Sequence, residues 1–278
     1  MPIAASGPPA CRIGPGGRSR RHNPRMALFR RRAESPTPPR APMRSLEDLV
    51  HVKPPAWPWL AELIERSRVP VRVIPADPEA ASTCLYRLQV SVASALGAVA
   101  FNTGGLIVDH GWLRILGCGG EGLTDLAMAN ALGDRAKAAG PPSHLVVAYD
   151  VVGGRFAVNG GGLPGPSGQV HYWGPDTLSW HSLGFGHSAF IEWTLAGSTV
   201  DFYSSLRWPG WEEDAESVAG DQGILLYPPP FSAQGQDTTN VARKVVSWDE
   251  LVGMYDDFSR QMGELPPGTE FQIVVTDD

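Results

Sequence analysis

Three stretches of this 278-residue chain carry residue types at spacings that chemistry uses. The first is "FAVNGGGLPGPSGQVHYW", in which Gly160, Gly162 and Gly165 match G-x-G-x-x-G. That spacing lets backbone N–H groups cradle a pyrophosphate. A dinucleotide site also needs a strand before the first glycine and a helix opening at the third. Residues 156–159 have strand composition, but Pro164 and Pro166 flank Gly165, and the following "QVHYW" alternates as a second strand. Strand, glycine loop, strand is a β-hairpin, so no nucleotide cofactor is expected. No phosphate-binding G-x-x-x-x-G-K-[ST] occurs either, since the lysines are Lys53, Lys137 and Lys244.

The second stretch, "GHSAF" at 186–190, is similar to the G-x-S-x-G nucleophile elbow. Phe190 stands where the tight elbow wants a glycine, and His187 is the last histidine, so Ser188 has no downstream base. Ser188 reads better as the N-cap of a helix carrying Phe190, Ile191 and Trp193. The third is Asp109-His110. Adjacent strand residues point to opposite faces, so these two form an acid–base pair only if Gly111 supplies a bulge. His171, His181 and His187 show no metal-ligand spacing, and no metal is expected. Cys11, Cys84 and Cys118 are odd in number, with no C-x-x-C pair. That pattern is neither a disulfide framework nor a zinc site, and it fits a reduced, cytoplasmic location.

Several elements must position these residues. Ser45 with Asp48 starts a short helix that Pro54 and Pro55 end, and Pro58 suits the first turn of a second, whose apolar face is Trp59, Leu60, Leu63 and Ile64. Residues 85–92 alternate apolar and polar, which predicts a strand. "GAVAFNTGGLIVDHGWLRILG" predicts a hairpin turning at 102–105, and "LTDLAMANALGDRAKAAG" has helical composition. "HLVVAYD" and "RFAVN" predict strands divided by Gly153 and Gly154. "HSAFIEWTLAG" predicts a helix, followed by a short one capped by Ser198 and Asp201. Ser247 and Glu250 form a capping box for a last helix bearing Leu251, Tyr255, Phe258 and Met262, and "EFQIVV" suggests a terminal strand. Strands gather in the middle without β-α-β alternation. The fold class is therefore α+β, a mostly antiparallel central sheet of hairpins flanked by helices.

Charge divides the chain. Residues 1–42 hold nine arginines and one acid, whereas 43–278 hold fourteen basic and twenty-eight acidic residues. The Arg/Pro-rich segment 1–42 has no apolar period and is expected to be disordered. It reads as a non-functional or mis-annotated extension, with a genuine basic arm as the alternative, because Met43 opens "MRSLEDLV", where the ordered pattern begins. No twin-arginine signal is expected, since no apolar stretch of sufficient length follows Arg20 and Arg21. Residues 43–278 are expected to form one domain. No run is long and apolar enough for a membrane helix.

The segments "GAVAFNTGGLIVDHGWLRILG", "GRFAVNGGGLPGPSGQVHYWGPDTLSW", "HSAFIEWTLAG", "FYSSLRWPGWEED" and "GDQGILLYPPP" resemble an uncharacterised bacterial domain-of-unknown-function family over about residues 43–262. Residues 145–197 are also similar to the core of the SUKH superfamily. The family resemblance implies no activity. SUKH-like domains are similar to immunity proteins of toxin systems and to other protein-binding modules. The sequence departs from the family pattern at 227–232, "YPPPFS", where a tryptophan is expected after the prolines. These resemblances and the acidic charge together lead to the expectation of a non-catalytic protein-interaction domain, immunity-protein-like, that binds a basic partner and not nucleic acid. "LRWPGWEED" sets Trp208 and Trp211 around a turn beside three acids, and with Asp221 and Gln222 of "GDQG" it is expected to border the partner face. The alternative is a small-molecule binder or enzyme with a pocket near Asp109, His110, Trp112 and Asp150.

Overall fold

A computed structural model describes residues 43–133 and 141–263. The expectations for 1–42, for the terminal strand and for the 134–140 part of the proposed helix lie outside those residues. The chain begins with α1 (Leu46–Val50), α2 (Trp57–Glu65), β1 (Val71–Pro75), α3 (Pro78–Leu88) and α4 (Ala95–Asn102). Six strands follow: β2 (Thr103–Val108), β3 (Leu113–Leu116), β4 (His144–Asp150), β5 (Arg155–Asn159), β6 (Gln169–Trp173) and β7 (Trp180–Gly186). Then come α5 (His187–Leu195), α6 (Thr199–Phe202), α7 (Trp211–Glu216), the hairpin β8 (Gln222–Tyr227) and β9 (Ala242–Ser247), and α8 (Trp248–Gly263).

Strands β1 to β7 form one sheet in sequence order, and every neighbouring pair is antiparallel. Hairpin β8–β9 stands apart as a two-stranded sheet. The α+β expectation therefore holds. Residues directly opposite across antiparallel strands share a face, and the register sorts the two faces sharply. One cross-strand row runs Val73, Leu106, Ile115, Ala148, Phe156, Tyr172. It packs under the helices, with Phe156 4.9 Å from Phe190 of α5 and Tyr172 4.9 Å from Phe202 of α6. The adjacent row runs Arg72, Ile107, Arg114, Tyr149, Arg155, Trp173, Trp180 and faces the other way. Hairpin β8–β9 and α8 cover its middle: Trp248 stacks on Tyr149 at 4.0 Å, and Tyr255 meets Trp173 at 6.0 Å.

Local sequence explains most boundaries. Ser45 and Asp48 close a capping box on α1, and Pro58 lies in the first turn of α2, both as expected. Ser247 Oγ accepts the Glu250 N–H at the start of α8. Four expectations are corrected. Residues 85–92 are not a strand, since α3 reaches Leu88. The helix starts at Asp77, whose carboxylate accepts from the N–H groups of Glu79 and Ala80, and stops at Gln89 with φ 58°. Its buried Ala81, Cys84, Leu85 and Leu88 keep helical spacing, which eight alternating residues at its end mask. The hairpin does not turn at 102–105: Ser94 caps α4, which runs through Asn102, and the reversal comes at Asp109, His110 and Gly111, all with positive φ. "LTDLAMANALG" yields only a 3-10 turn at Met128–Asn130, because Ala131 enters the left-handed region. Gly186, not Ser188, occupies the N-cap of α5; Ser188 lies inside the helix. Ser198 stands at the α6 N-cap but makes no side-chain cap bond.

Candidate functional site

The glycine loop is settled by its own hydrogen bonds. Gly160 and Gly162 both donate to Ser143 O, and Asn159 Oδ1 accepts from Gly161 and Leu163. The N–H groups of Gly160, Gly161, Gly162 and Leu163 are thus engaged within the protein, and the loop links β5 to β6 as a hairpin. A Cβ on Gly160 would sit 2.3 Å from Pro142 O, which explains glycine there without a ligand. Calorimetry with millimolar NAD, FAD and ATP is expected to show no heat of binding. Saturable binding abolished by Gly162→Val would contradict this.

Asp109, Trp112 and Trp208 come together, but inside the protein. All three are buried. Arg207 forms an ion pair with Asp109 and lies 3.8 Å over the ring of Trp211, 5.0 Å from Trp112 and 5.5 Å from Tyr203. Trp208 donates its indole N–H to Asp214 at 2.7 Å. Trp211 is half-buried beneath Arg207. The left-handed turn separates Asp109 from His110, whose Nδ1 pairs with Glu216 of α7 at 2.5 Å. The two side chains face different partners, so they form no acid–base pair with each other.

Asp150 is fully buried. Burial pushes its pKa up to about 6, opposed by hydrogen bonds from the N–H of Gly154 (2.7 Å) and Val152 (3.1 Å) and from the Tyr172 hydroxyl (2.9 Å). The Tyr203 hydroxyl lies near enough to lower it further but makes no well-formed hydrogen bond. His187, in "GHSAF", has both ring nitrogens buried without partners, and burial lowers its pKa to about 4, so it is neutral at pH 7. Cys84 and Cys118 are free thiols, buried and raised in pKa by that burial, which leaves them protonated. Among the described residues no group of three or more His, Cys, Asp or Glu is arranged to hold a metal.

The open surface lies along the charged row. Arg114 of β3 and Tyr149 of β4 are directly opposed, and both reach up to residues 218–222, which lead into the first residue of β8. Arg114 donates to Gln222 O and Val218 O, and Tyr149 donates to Gly220 O at 2.7 Å. Three carbonyls of one loop are thereby held by two side chains of the sheet. Gly220 presses onto the Glu121–Leu123 backbone so closely that a Cβ there would fall 2.7 Å from Leu123 N. The result is a ridge with a depression on each side. The groove on one side encloses about 660 Å³ and is lined by Met128, Val146, Tyr149, Trp248, Val252, Asp221 and Asp249, among others. The hollow on the other side, about 500 Å³, is lined by Arg72, Ile107, His110, Arg114, Glu121 and Glu216 together with the 215–220 backbone.

Of the residues singled out in the sequence, Asp221 and His110 reach these openings. Gln222 serves the ridge through its carbonyl. Arg72, Arg114, Arg155, Tyr149 and Trp248 were not foreseen, because only strand register brings them into line.

Residues 46–251 match the family described as "Protein of unknown function DUF2625". The chain belongs to the DUF2625 family. An uncharacterized protein of Haemophilus influenzae is 35% identical over 190 residues, covering 67% of this chain and 82% of its own. A "Putative uncharacterized protein YbfG" of Escherichia coli K12 is 36% identical over 209 residues, covering 75% of this chain and 94% of its own. No solved structure matches. The DUF2625 span takes in the ladder from Arg72 to Trp180, the whole hollow, and all of the groove except Val252 and Gly253. The SUKH similarity has no counterpart among these matches. No helix among the described residues of this DUF2625 member is long and apolar enough to cross a membrane.

Proposed function

We propose that the domain is a non-catalytic binding module that takes a basic segment of a partner protein, and that the segment docks in the groove between the 122–129 loop and α8. The observation that carries this reading is a pair of carboxylates. Asp221 and Asp249 are exposed, line the groove from two separate elements, and have no hydrogen-bond or ion-pair partner for their side chains among the described residues. Between them the stacked rings of Tyr149 and Trp248 and the half-exposed Met128 offer apolar surface. An arginine or lysine side chain suits such a site: its aliphatic stem lies on the rings while its charged head reaches the acids. Arg155, the one cation lining the groove among the described residues, is occupied by Asp256 at 2.7 Å and by the Trp173 ring at 4.4 Å. The acidic excess of residues 43–278 steers such partners in and repels nucleic acid. Free buried thiols agree with work in a reducing cytoplasm.

Titration calorimetry with an arginine-rich dodecapeptide and a glutamate-rich one tests the reading. The basic peptide is expected to bind, more weakly at 200 mM than at 50 mM salt. The double change Asp221→Asn, Asp249→Asn is expected to weaken it about tenfold or more without moving the melting temperature. Equal binding of both peptides, or indifference to the double change, would refute it.

A further inference from the structure

We infer that the hollow on the other side of the ridge is a binding site for a small carboxylic acid that also carries a positive charge, the chemistry of a free α-amino acid. The inference rests on a different set of residues from the groove and stands or falls separately.

Three cationic or potentially cationic side chains line the hollow, and they are not equivalent. Arg72 and His110 at the rim each touch a carboxylate of their own, Glu121 and Glu216. Arg114 does not. It is buried, and its terminal nitrogens meet two neutral carbonyls, Val218 O and Gln222 O. Among the described residues no carboxylate lies within ion-pair distance of it; Asp150 and Asp221 act on it only from further away. Taking a guanidinium out of water costs several kcal/mol unless a counter-charge returns the loss. Carbonyl dipoles return part of it, and burial still pulls its pKa down, although a guanidinium keeps its charge at neutral pH. The hollow therefore ends on a buried cation that lacks a contact anion. Two of its five N–H donors are spent on the ridge, which leaves donors for a guest.

The walls select the guest. A planar guanidinium matches a planar carboxylate best. Glu121 and Glu216 stand at the rim, exposed, each with one carboxylate oxygen paired to Arg72 or His110, so a phosphate dianion entering the hollow finds no unpaired cation at the rim, while the second carboxylate oxygens stay open to a positive group. A single carboxylate meets less repulsion, and an ammonium group on the same molecule turns those rim acids into partners. Ile107, Val71 and Val218 supply apolar wall for a side chain. A volume of about 500 Å³ accommodates a molecule of this size. The arrangement of acids over a buried arginine thus reads as a two-charge lock for a zwitterion.

The test is calorimetry of the full chain against each free L-amino acid, with the corresponding amide, the N-acetyl derivative and inorganic phosphate as comparisons. At least one amino acid is expected to bind with a Kd below about 1 mM. Its amide is expected to bind at least tenfold more weakly, its N-acetyl derivative more weakly as well, and phosphate not at all. Arg114→Lys keeps the charge but loses the fork, and is expected to weaken binding about tenfold. Because Arg114 also holds the ridge, a second variant keeps the test independent of folding. Ala219→Trp places bulk on an exposed wall of the hollow and is expected to abolish binding while the melt stays unchanged. Glu216→Gln is expected to weaken amino-acid binding and leave a simple carboxylate such as propionate unaffected. Absence of binding by every amino acid at 10 mM (~ten times the expected Kd ceiling) overturns the inference. So does phosphate binding as tightly as the amino acid, or binding that survives Ala219→Trp. Loss of peptide binding in the groove leaves all of these outcomes as they are.

Discussion

Replacing Arg207 by alanine is expected to lower the stability of the folded domain by about 3–5 kcal/mol. Its guanidinium is the ion-pair partner of Asp109, and both side chains are almost wholly buried. Removing it strands a carboxylate in a low-dielectric interior and takes a cation off the faces of Trp211, Trp112 and Tyr203. Asp109→Ala is expected to cost less at the pair but more at the backbone, since φ at this residue is 55° and asparagine or aspartate bears that conformation better than alanine. The combined change Arg207→Met with Asp109→Asn removes both charges and keeps a residue suited to the turn. It is expected to recover most of the loss, because a buried ion pair contributes little beyond a well-packed neutral replacement. Urea denaturation of the parent, Arg207→Ala and the double variant decides the matter. A single variant as stable as the parent would falsify the account of this pair.

Asp150 predicts a second large effect, read through pH. Its pKa in the folded state is about 6, against an ordinary value of 3.8. The folded state therefore holds this proton more tightly than the unfolded chain does. The resulting stabilisation is fully present below pH 3.8 and is lost as the pH rises through 6. The difference of about 2 pKa units corresponds to roughly 3 kcal/mol. Asp150→Asn removes the titration. Its amide oxygen still accepts from Gly154 and Val152, and its amide nitrogen donates to the Tyr172 hydroxyl, which reverses the bond seen in the parent. Stability plotted from pH 4 to pH 7 is expected to be flatter in this variant, and its advantage over the parent is expected to grow towards pH 7. Asp150→Ala supplies the contrast. It leaves three donors buried without an acceptor and is expected to destabilise at every pH. Parallel pH curves for parent and Asn variant would rule out Asp150 as the titrating group.

The sheet centre was legible because its strands are short, alternate cleanly and are separated by glycines. Strands β4, β5 and β6 came directly from "HLVVAYD", "RFAVN" and "QVHYW". Helices α5 and α8 were legible from helical spacing, and α8 also from the Ser247 cap. The tail of α3 was misread because two helical turns with polar residues between leucines mimic a period of two. Strands β1 and β7 escaped because they are edge strands with mixed burial, and Gly184 and Gly186 dilute the pattern of β7. Of the site, Asp221 was legible as a polar residue between two glycines. Arg207, the partner of Asp109, lies 98 residues away and carries no local sign of that role. Arg72, Arg114 and Arg155 look like ordinary surface charges until the register sets them in one row two strands apart.

The order of the strands also bears on how the chain assembles during synthesis. Each of β1 to β7 pairs with its neighbour in sequence, so the sheet extends as the chain leaves the ribosome and needs few distant partners. The cover arrives last, with β8, β9 and α8 at the end of the described chain. Until then the Tyr149, Trp173 and Trp180 surface stands open to solvent and to other nascent chains. Arg72, Arg114 and Arg155 lie in the same cross-strand row as those rings, and charges so placed on an uncovered sheet face disfavour its pairing with copies, by like-charge repulsion and by hydration. Arg114, which later holds the ridge, is thus among the charges that disfavour aggregation before the ridge exists.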